Sequence, residues 1–418
     1  MNSPNATVLN ESRLSLKAGS NPREGIAARI FGGLHRGQLT VSLPSGQTHV
    51  LSEKSEQNEN PTGVTNLKAT LHLRTYRALR RILRSRSIGF AEAYIEGEWD
   101  SPDLARLMDL MVRNMDALEA RLGQSAPALA WNRMRHLFRS NTKSGSRRNI
   151  AYHYDLGNEF YSEWLDEGMT YSSALFDSEH KSLVDAQENK YRNLATELDL
   201  KSHHRVLEIG CGWGGFAEFA ARNYGCHVTC LTLSKQQLAY ARDRIERAGL
   251  SERVELRLQD YRDVGGKFDR IVSIEMFEAV GEAHWAGYFE QLRRCLEPGG
   301  RAGLQIITIS HERFEGYSSD PDFIQKYIFP GGMLPSPEKL REQISSAGLM
   351  LNSEMTFGAS YARTLELWRE DFVEKWPAIA RLGYNKKFRR MWEYYFCYCE
   401  AGFRHGTVDV GHYFLKHR

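Results

Sequence analysis

Val206-Leu-Glu-Ile-Gly-Cys-Gly-Trp-Gly-Gly-Phe216 reads as a strand, a glycine-dense turn and the start of a helix. Residues 205–209 form a short apolar run of the kind that crosses a buried sheet, and the helical pattern begins at Phe216. Glycines at 210, 212, 214 and 215 let the backbone take positive φ and let a ligand approach the main chain without meeting a Cβ. A plain turn has no need of four glycines, because each adds backbone entropy that folding must overcome. Glu208 at the strand end sets the charge of the ligand. Phosphate cradles combine a helix N-terminus with Lys or Arg, and no G-x-x-x-x-G-K-[ST] follows here. A carboxylate beside open glycines suits a cationic or hydroxyl-bearing ligand instead.

Working outward, strand-like and helix-like segments alternate. Strands are predicted at 205–209, 227–232, 254–259, 268–274, 301–309, 349–357 and 408–415. Helices are predicted at 183–198, 234–248 and 285–296, and a long helical insertion occupies 364–403 between the last two strands. This order predicts an α/β fold with a seven-stranded, doubly wound, Rossmann-like sheet and a ligand crevice at the C-terminal ends of the strands. At 418 residues the chain is long enough for two domains. Residues 140–149 have no apolar side chain and read as a linker. Ahead of it a small α+β accessory module is expected over 23–139, with a hairpin from Ile30 onward and helix from Ala69 to Val112 interrupted near Gly97-Glu-Trp-Asp, preceded by a loosely ordered polar N-terminus, 1–22. The catalytic domain is then 150–418.

A net charge of +3 argues against a nucleic-acid partner bound by bulk electrostatics, but the charge is unevenly spread. Residues 75–86 interleave five arginines with Tyr76, Leu79, Ile82 and Leu83, and 131–139 repeat the pattern. Both read as helices with one basic and one apolar face, which suits an anionic membrane surface; ordinary solvated helix faces give the same pattern. No run of 18 apolar residues crosses a bilayer, and Met1-Asn-Ser-Pro-Asn is not a secretory signal. The six cysteines lack C-x-x-C spacing, consistent with reduced thiols and a cytoplasmic protein on the inner face of the membrane. His203-His204 has no grouped partners, so no metal site is expected.

The glycine stretch resembles E-x-G-x-G-x-G, the S-adenosylmethionine (SAM) signature of class I methyltransferases. That likeness implies that Glu208, Gly210, Gly212 and Gly214 hold SAM. After the second strand, Ser234 and Gln237 match a capping box. Thr232 and Gln237 also stand where the ribose is bound, and Gln259-Asp260 where the adenine amino group is. The stretch 151–176, Leu231 to Gln237, Glu275-Met-Phe-Glu-Ala-Val-Gly281, Phe329-Pro-Gly-Gly-Met-Leu-Pro335, Tyr361-Ala-Arg-Thr-Leu365 and Glu400-Ala-Gly-Phe-Arg404 together resemble the cyclopropane fatty-acid synthase and mycolic-acid methyltransferase family. The resemblance covers the catalytic half and extends more weakly to Gly97-Glu-Trp. It adds Tyr171 and Ser172 to the cofactor residues.

What this family resemblance implies is alkylation of an olefin. The π bond of an unsaturated phospholipid acyl chain attacks the SAM methyl carbon, and the resulting cation must be shielded from water. The aromatic stretch 151–176 suits that role, because ring faces stabilise cations by ~0.5–2 kcal/mol per contact. In cyclising members a bicarbonate ion held by Cys, Glu, His, an Ile backbone and Tyr removes the proton. Glu278, Tyr361 and Ile307 match three of these positions, but Ser173 replaces Cys and Gln305 replaces His. The replacements still form hydrogen bonds but carry no positive charge. Cyclopropanation is expected where Ser173 and Gln305 still position bicarbonate, and the changed base site gives a methyl- or methylene-branched chain as the alternative product. A small-molecule methyltransferase acting on an amine or phenol, or a silent SAM- or lipid-binding module, is also compatible with the glycine motif alone. Pulling an acyl chain into water costs on the order of 10 kcal/mol. The enzyme is thus expected to dock on the bilayer, with Trp368, Phe372, Trp376, Trp392, Tyr394, Tyr395 and Phe396 of the insertion as candidates for an apolar tunnel or for core packing. A homodimer is a candidate assembly.

Overall fold

The computed structural model describes residues 7–8, 22–32, 34, 36–52, 67–122, 156–179 and 181–418. The predicted linker 140–149, the second basic stretch 131–139 and residues 151–155 lie outside the described residues, as does most of 1–22. The chain divides into two compact units: 1–131 with 384–405, and 132–383 with 406–418.

The first unit carries strands β1 (Thr7–Val8), β2 (Gln38–Ser42), β3 (Thr48–Ser52), β4 (Lys68–Leu73) and β5 (Trp99–Asp100) in the order β1-β3-β2-β4-β5. β2 and β3 form the predicted hairpin, closed by a Leu43 N–H to Gln47 C=O bond of 2.8 Å. Two boundaries differ from the sequence reading. Ile30 and Phe31 end the helix Pro22–Phe31, and residues 69–73 belong to β4, where alternate burial of Ala69, Leu71 and Leu73 fits a strand. The helix Arg77–Ile95 kinks at Ser85 and Arg86, and the fold-back brings Gly89 so close to the Arg81 carbonyl that a Cβ there would lie 2.1 Å away, which only glycine permits. The helix Lys386–Arg404 lies in this unit although the sequence places it within 150–418. Asn385 caps it, accepting from the Lys387 and Phe388 N–H groups. Its Tyr394 ring packs 5.9 Å from Tyr94, and the Arg390 guanidinium sits 3.8 Å above the same Tyr94. Trp392, Tyr394, Tyr395 and Phe396 are therefore buried core residues here.

The second unit is built on β6 (Arg205–Ile209), β7 (His227–Thr232), β8 (Val254–Leu258), β9 (Phe268–Ile274), β10 (Leu296–Ile309), β11 (Leu349–Thr356) and β12 (Val408–His417), in the order β11-β12-β10-β9-β6-β7-β8. β6 to β10 are parallel, and β12 runs antiparallel to both β10 and β11. This is the predicted doubly wound sheet. Adjacent residues on β6 show why it needs covering on both sides. Val206 joins the core beneath helices Leu183–Glu197 and Gly215–Tyr224, while Leu207 joins the core beneath Trp285–Cys295 and Pro337–Ser346. Serine caps fix three helix starts: Ser182, Ser234 and Ser336 accept from the N–H three residues on. Strand order reverses between β6 and β9, which opens a crevice at their C-terminal ends.

Candidate active site

Glu208 lies near the end of the central strand with 3% of its surface exposed. It accepts the Cys230 thiol at 3.5 Å and has no ion-pair partner among the described residues. Burial pushes its carboxyl up to about 7, against smaller lowering by Cys230 and Arg244. The turn that follows holds Gly210, Gly212 and Gly214 at φ +84°, +52° and +84°. Nothing lies within 4 Å of the place a Cβ would take on Gly212, so its backbone stands bare to the crevice. Gly214 instead precedes the helix Gly215–Tyr224 as its left-handed cap. Tyr171, Ser172, Glu208, Gly210, Gly212, Thr232, Gln237 and Gln259 all line the crevice. Ser234 accepts from Gln237 N–H as the capping pattern requires, while the Gln237 side-chain oxygen takes the Thr232 hydroxyl at 3.0 Å. Asp260 is otherwise engaged: its carboxylate is bound by the Arg262 guanidinium at 2.7–2.8 Å. A buried carboxylate without a cation, bare backbone and hydroxyl and amide groups together fit SAM, which carries a cationic sulfur and amine and two ribose hydroxyls.

Glu278, Tyr361, Ser173, Gln305 and Ile307 are brought together next to this crevice, around a residue the sequence reading left unassigned. Glu275, the residue after β9, holds φ +49°, a left-handed conformation that side-chain-bearing residues rarely adopt. Three donors converge on its carboxylate: Tyr361 O–H at 2.7 Å, Ser173 N–H at 2.8 Å and the Gln305 amide at 2.7 Å. Ser173 contributes its backbone, not its hydroxyl, which donates to the Ala174 carbonyl. The Gln305 amide is fixed from behind. Its oxygen lies 2.9 Å from His412 Nε2, and its nitrogen also reaches the Ser173 carbonyl. Burial holds His412 neutral, so its Nε2–H donates and the Gln305 NH2 must face Glu275. Glu278 accepts Ile307 N–H at 2.6 Å. Its carboxyl is pushed up to about 8, first by burial and then by the charge of Glu275. Glu275 is also raised by burial, but Lys190 and the three donors oppose the rise. The environments differ: Glu278 is pushed toward its protonated form, whereas the charge of Glu275 is supported by Lys190 and three donors, which leaves Glu275 the carboxylate available to accept a proton.

Bicarbonate does not fit this cradle. The Ser173, Ile307 and Tyr361 donors and both Gln305 amide hydrogens are already directed at protein acceptors, chiefly the two glutamates. One signal in the sequence pointed to Glu275: it is the first acid of Glu275-Met-Phe-Glu278, and the 3-10 turn Phe277–Ala279 follows it directly.

Aromatic rings wall the site. Tyr171 packs 5.3 Å from Trp368, 5.4 Å from Tyr161 and 5.5 Å from Trp164, and Trp368 lies 6.2 Å from Tyr361. Trp368, on the helix Gly358–Glu374, is the insertion residue that reaches the reaction centre.

A glycine turn after the central strand, a buried acid at its end and a crevice at the strand-order reversal define a class I SAM-dependent methyltransferase. The family model for mycolic acid cyclopropane synthetase matches residues 141–413, and the chain belongs to that family. It is 40% identical over 344 residues to tuberculostearic acid methyltransferase UfaA1 of Mycobacterium tuberculosis, covering 79% of each chain. It is 37% identical over 331 residues to the cyclopropane-fatty-acyl-phospholipid synthase of Escherichia coli strain K12, covering 79% of this chain and 83% of that one. The solved cyclopropane synthase MmaA2 from Mycobacterium tuberculosis superposes with a TM-score of 0.61 at 31% identity, covering 64% of this chain and 97% of that one. The protein is accordingly a SAM-dependent methyltransferase that acts on fatty-acyl chains. No described helix is long and apolar enough to cross a membrane, and the described residues hold no cluster of metal-binding side chains.

Proposed function

We propose that the enzyme converts the double bond of an unsaturated phospholipid acyl chain into a methylene branch or a methyl-substituted olefin, with Glu275 as the base. The observation that carries this reading is the Glu275 carboxylate, which occupies the Tyr361, Ser173 and Gln305 donors that a free anion would otherwise need. Bound SAM supplies an electrophilic methyl group. The π electrons form the new C–C bond, the C–S bond breaks with its electrons going to sulfur, and a cation is left on the chain. Tyr171, Trp164 and Trp368 exclude water from that cation and present ring faces to it. Glu275 takes one proton, and the C–H electrons become the new double bond.

The name of the 40%-identical relative, tuberculostearic acid methyltransferase, supports the branched outcome. That of the 37%-identical relative, a cyclopropane synthase, keeps ring closure as the second reading. The deciding experiment supplies oleoyl-phospholipid vesicles and labelled SAM, with and without bicarbonate, and analyses the methanolysed product by gas chromatography and mass spectrometry. Branched product independent of bicarbonate is expected from the wild type, and Glu275→Gly should lose it. A cyclopropane formed by the wild type only with bicarbonate refutes the proposal.

Reversible docking on the cytoplasmic face of an anionic membrane completes the reading. On the helix Arg77–Ile95, Arg77 and Arg81 are drawn to Glu98, whereas Arg80 and Arg84 are exposed on either side of Leu83, itself 39% exposed. That arrangement suits an interfacial helix, where each basic residue contributes ~1 kcal/mol.

A further inference from the structure

The helix Leu183–Glu197 turns a polar face inward. Gln187, Lys190 and Asn193 recur at three-residue intervals, and Lys190 has no exposed surface. An apolar stripe belongs in such a place, because an ammonium ion taken out of water costs several kcal/mol. Lys190 Nζ donates to Ser172 Oγ at 2.7 Å and to Gln187 Oε1 at 2.6 Å, both neutral acceptors. No carboxylate among the described residues lies within ion-pair distance of it. The negative groups that act on it are Glu275 first and Asp166 second.

The same helix face supports Glu275 by two hydrogen-bonded routes. Along one, Lys190 binds Ser172, and the next residue, Ser173, donates its N–H to Glu275. Along the other, the Asn193 side-chain amide lies 2.6 Å from His412 Nδ1; the neutral ring donates from Nε2 to Gln305, so Nδ1 accepts and the Asn193 NH2 must be the group turned toward it, and Gln305 donates to Glu275. The titratable groups around Glu275 come from four elements: Lys190, Tyr361 on the helix Gly358–Glu374, Glu278 on the turn after β9, and His412 on β12. Tyr361 and His412 are neutral and Glu278 is an acid, so Lys190 supplies the positive charge.

We propose that Lys190 is a positioning residue of the methyl transfer, whose buried charge keeps Glu275 ionised between turnovers and so sets the pH above which the alkylated chain can be deprotonated. This rests on the reading of Glu275 as the base. Two features agree with it. Lys190 is the largest of the influences that lower the proton affinity of Glu275, and burial pulls Lys190 itself down to about 7, with Glu275 the first and Asp166 the second of the charges that oppose the fall.

The test is the pH dependence of kcat for Lys190→Met against wild type, using oleoyl-phospholipid vesicles and labelled SAM, with SAM affinity measured by calorimetry. The acid limb should move upward by about one pH unit or more, so that the loss approaches tenfold on the acid side of the wild-type limb and disappears on the alkaline side. An equal loss at every pH, as a structural role gives, overturns the proposal. Should Lys190→Met fail to fold, lysine 13Cε resonances are followed by NMR in the wild type and in Glu275→Gln. The lysine titrating near 7 should move to lower pH in Glu275→Gln, and no movement overturns the proposal. Wild-type product separates the two ideas. Bicarbonate-dependent ring formation removes Glu275 as base, whereas bicarbonate-independent branching with an unmoved acid limb in Lys190→Met removes Lys190 alone.

Discussion

Glu208→Gln should make the ligand-free protein more stable while weakening its hold on SAM. Glu208 is buried at the end of the central strand, and its carboxyl is carried from an ordinary 4.5 to about 7, mainly by burial. Below pH 4.5 it is protonated in both folded and unfolded chains and costs nothing. Between 4.5 and about 7 the unfolded chain ionises more readily, so the folded state loses stability as pH rises, and the loss is complete above 7. At ~1.4 kcal/mol for each tenfold change in proton affinity, the full cost is about 3 kcal/mol. Glutamine is neutral throughout and keeps the shape. Its ligand-free Tm should therefore exceed that of the wild type at pH 8 by roughly 6–12 °C, a domain of this size gaining about 2–4 °C per kcal/mol. The difference should vanish near pH 4.5. SAM should narrow the gap and at saturation nearly close it, because losing a charge-assisted bond of about 1.5–3 kcal/mol weakens binding by ~10- to 100-fold and so removes about that much of the ligand's stabilisation from the variant. Differential scanning fluorimetry at several pH values, with and without SAM, provides both readings. A Tm gain that is absent, or the same at every pH, refutes the assignment of Glu208 as a buried carboxylate awaiting a cationic, hydroxyl-bearing ligand.

Other expectations follow from single contacts. Tyr361→Phe removes the O–H donor to Glu275, so single-turnover methyl transfer should slow by ~10- to 100-fold with SAM affinity unchanged. Gly214→Ala places a Cβ at φ +84° and 3.2 Å from Ala241, and urea unfolding should show a loss of about 1–2 kcal/mol or more. Arg80→Glu combined with Arg84→Glu should release the enzyme from anionic vesicles in co-sedimentation at 0.1 M salt and leave SAM binding intact; unchanged vesicle binding would remove this helix as the docking surface.

The sequence alone determined the elements whose causes are local. The strand Arg205–Ile209, the glycine turn, the β/α alternation through β10 and the Ser234 cap are each written within a few consecutive residues, as apolar periodicity, glycine density or a capping pair. Glu208, Gly210, Gly212, Thr232 and Gln237 could be placed at one crevice because the sheet topology brings strand ends together wherever such a pattern occurs. Tertiary structure decided the rest. The donors around Glu275 come from positions 30, 86 and 102 residues away, and no periodicity connects them. Lys190 reads in sequence as one more charge on an amphipathic helix, and Trp392 reads much like Trp368. Only packing puts Lys190 inside the protein, Trp368 against the reaction centre, and Trp392 in the core of the first unit. A side chain's identity fixes which bonds it can make, but burial and the groups that meet it across the fold decide which of those bonds form and which charge survives.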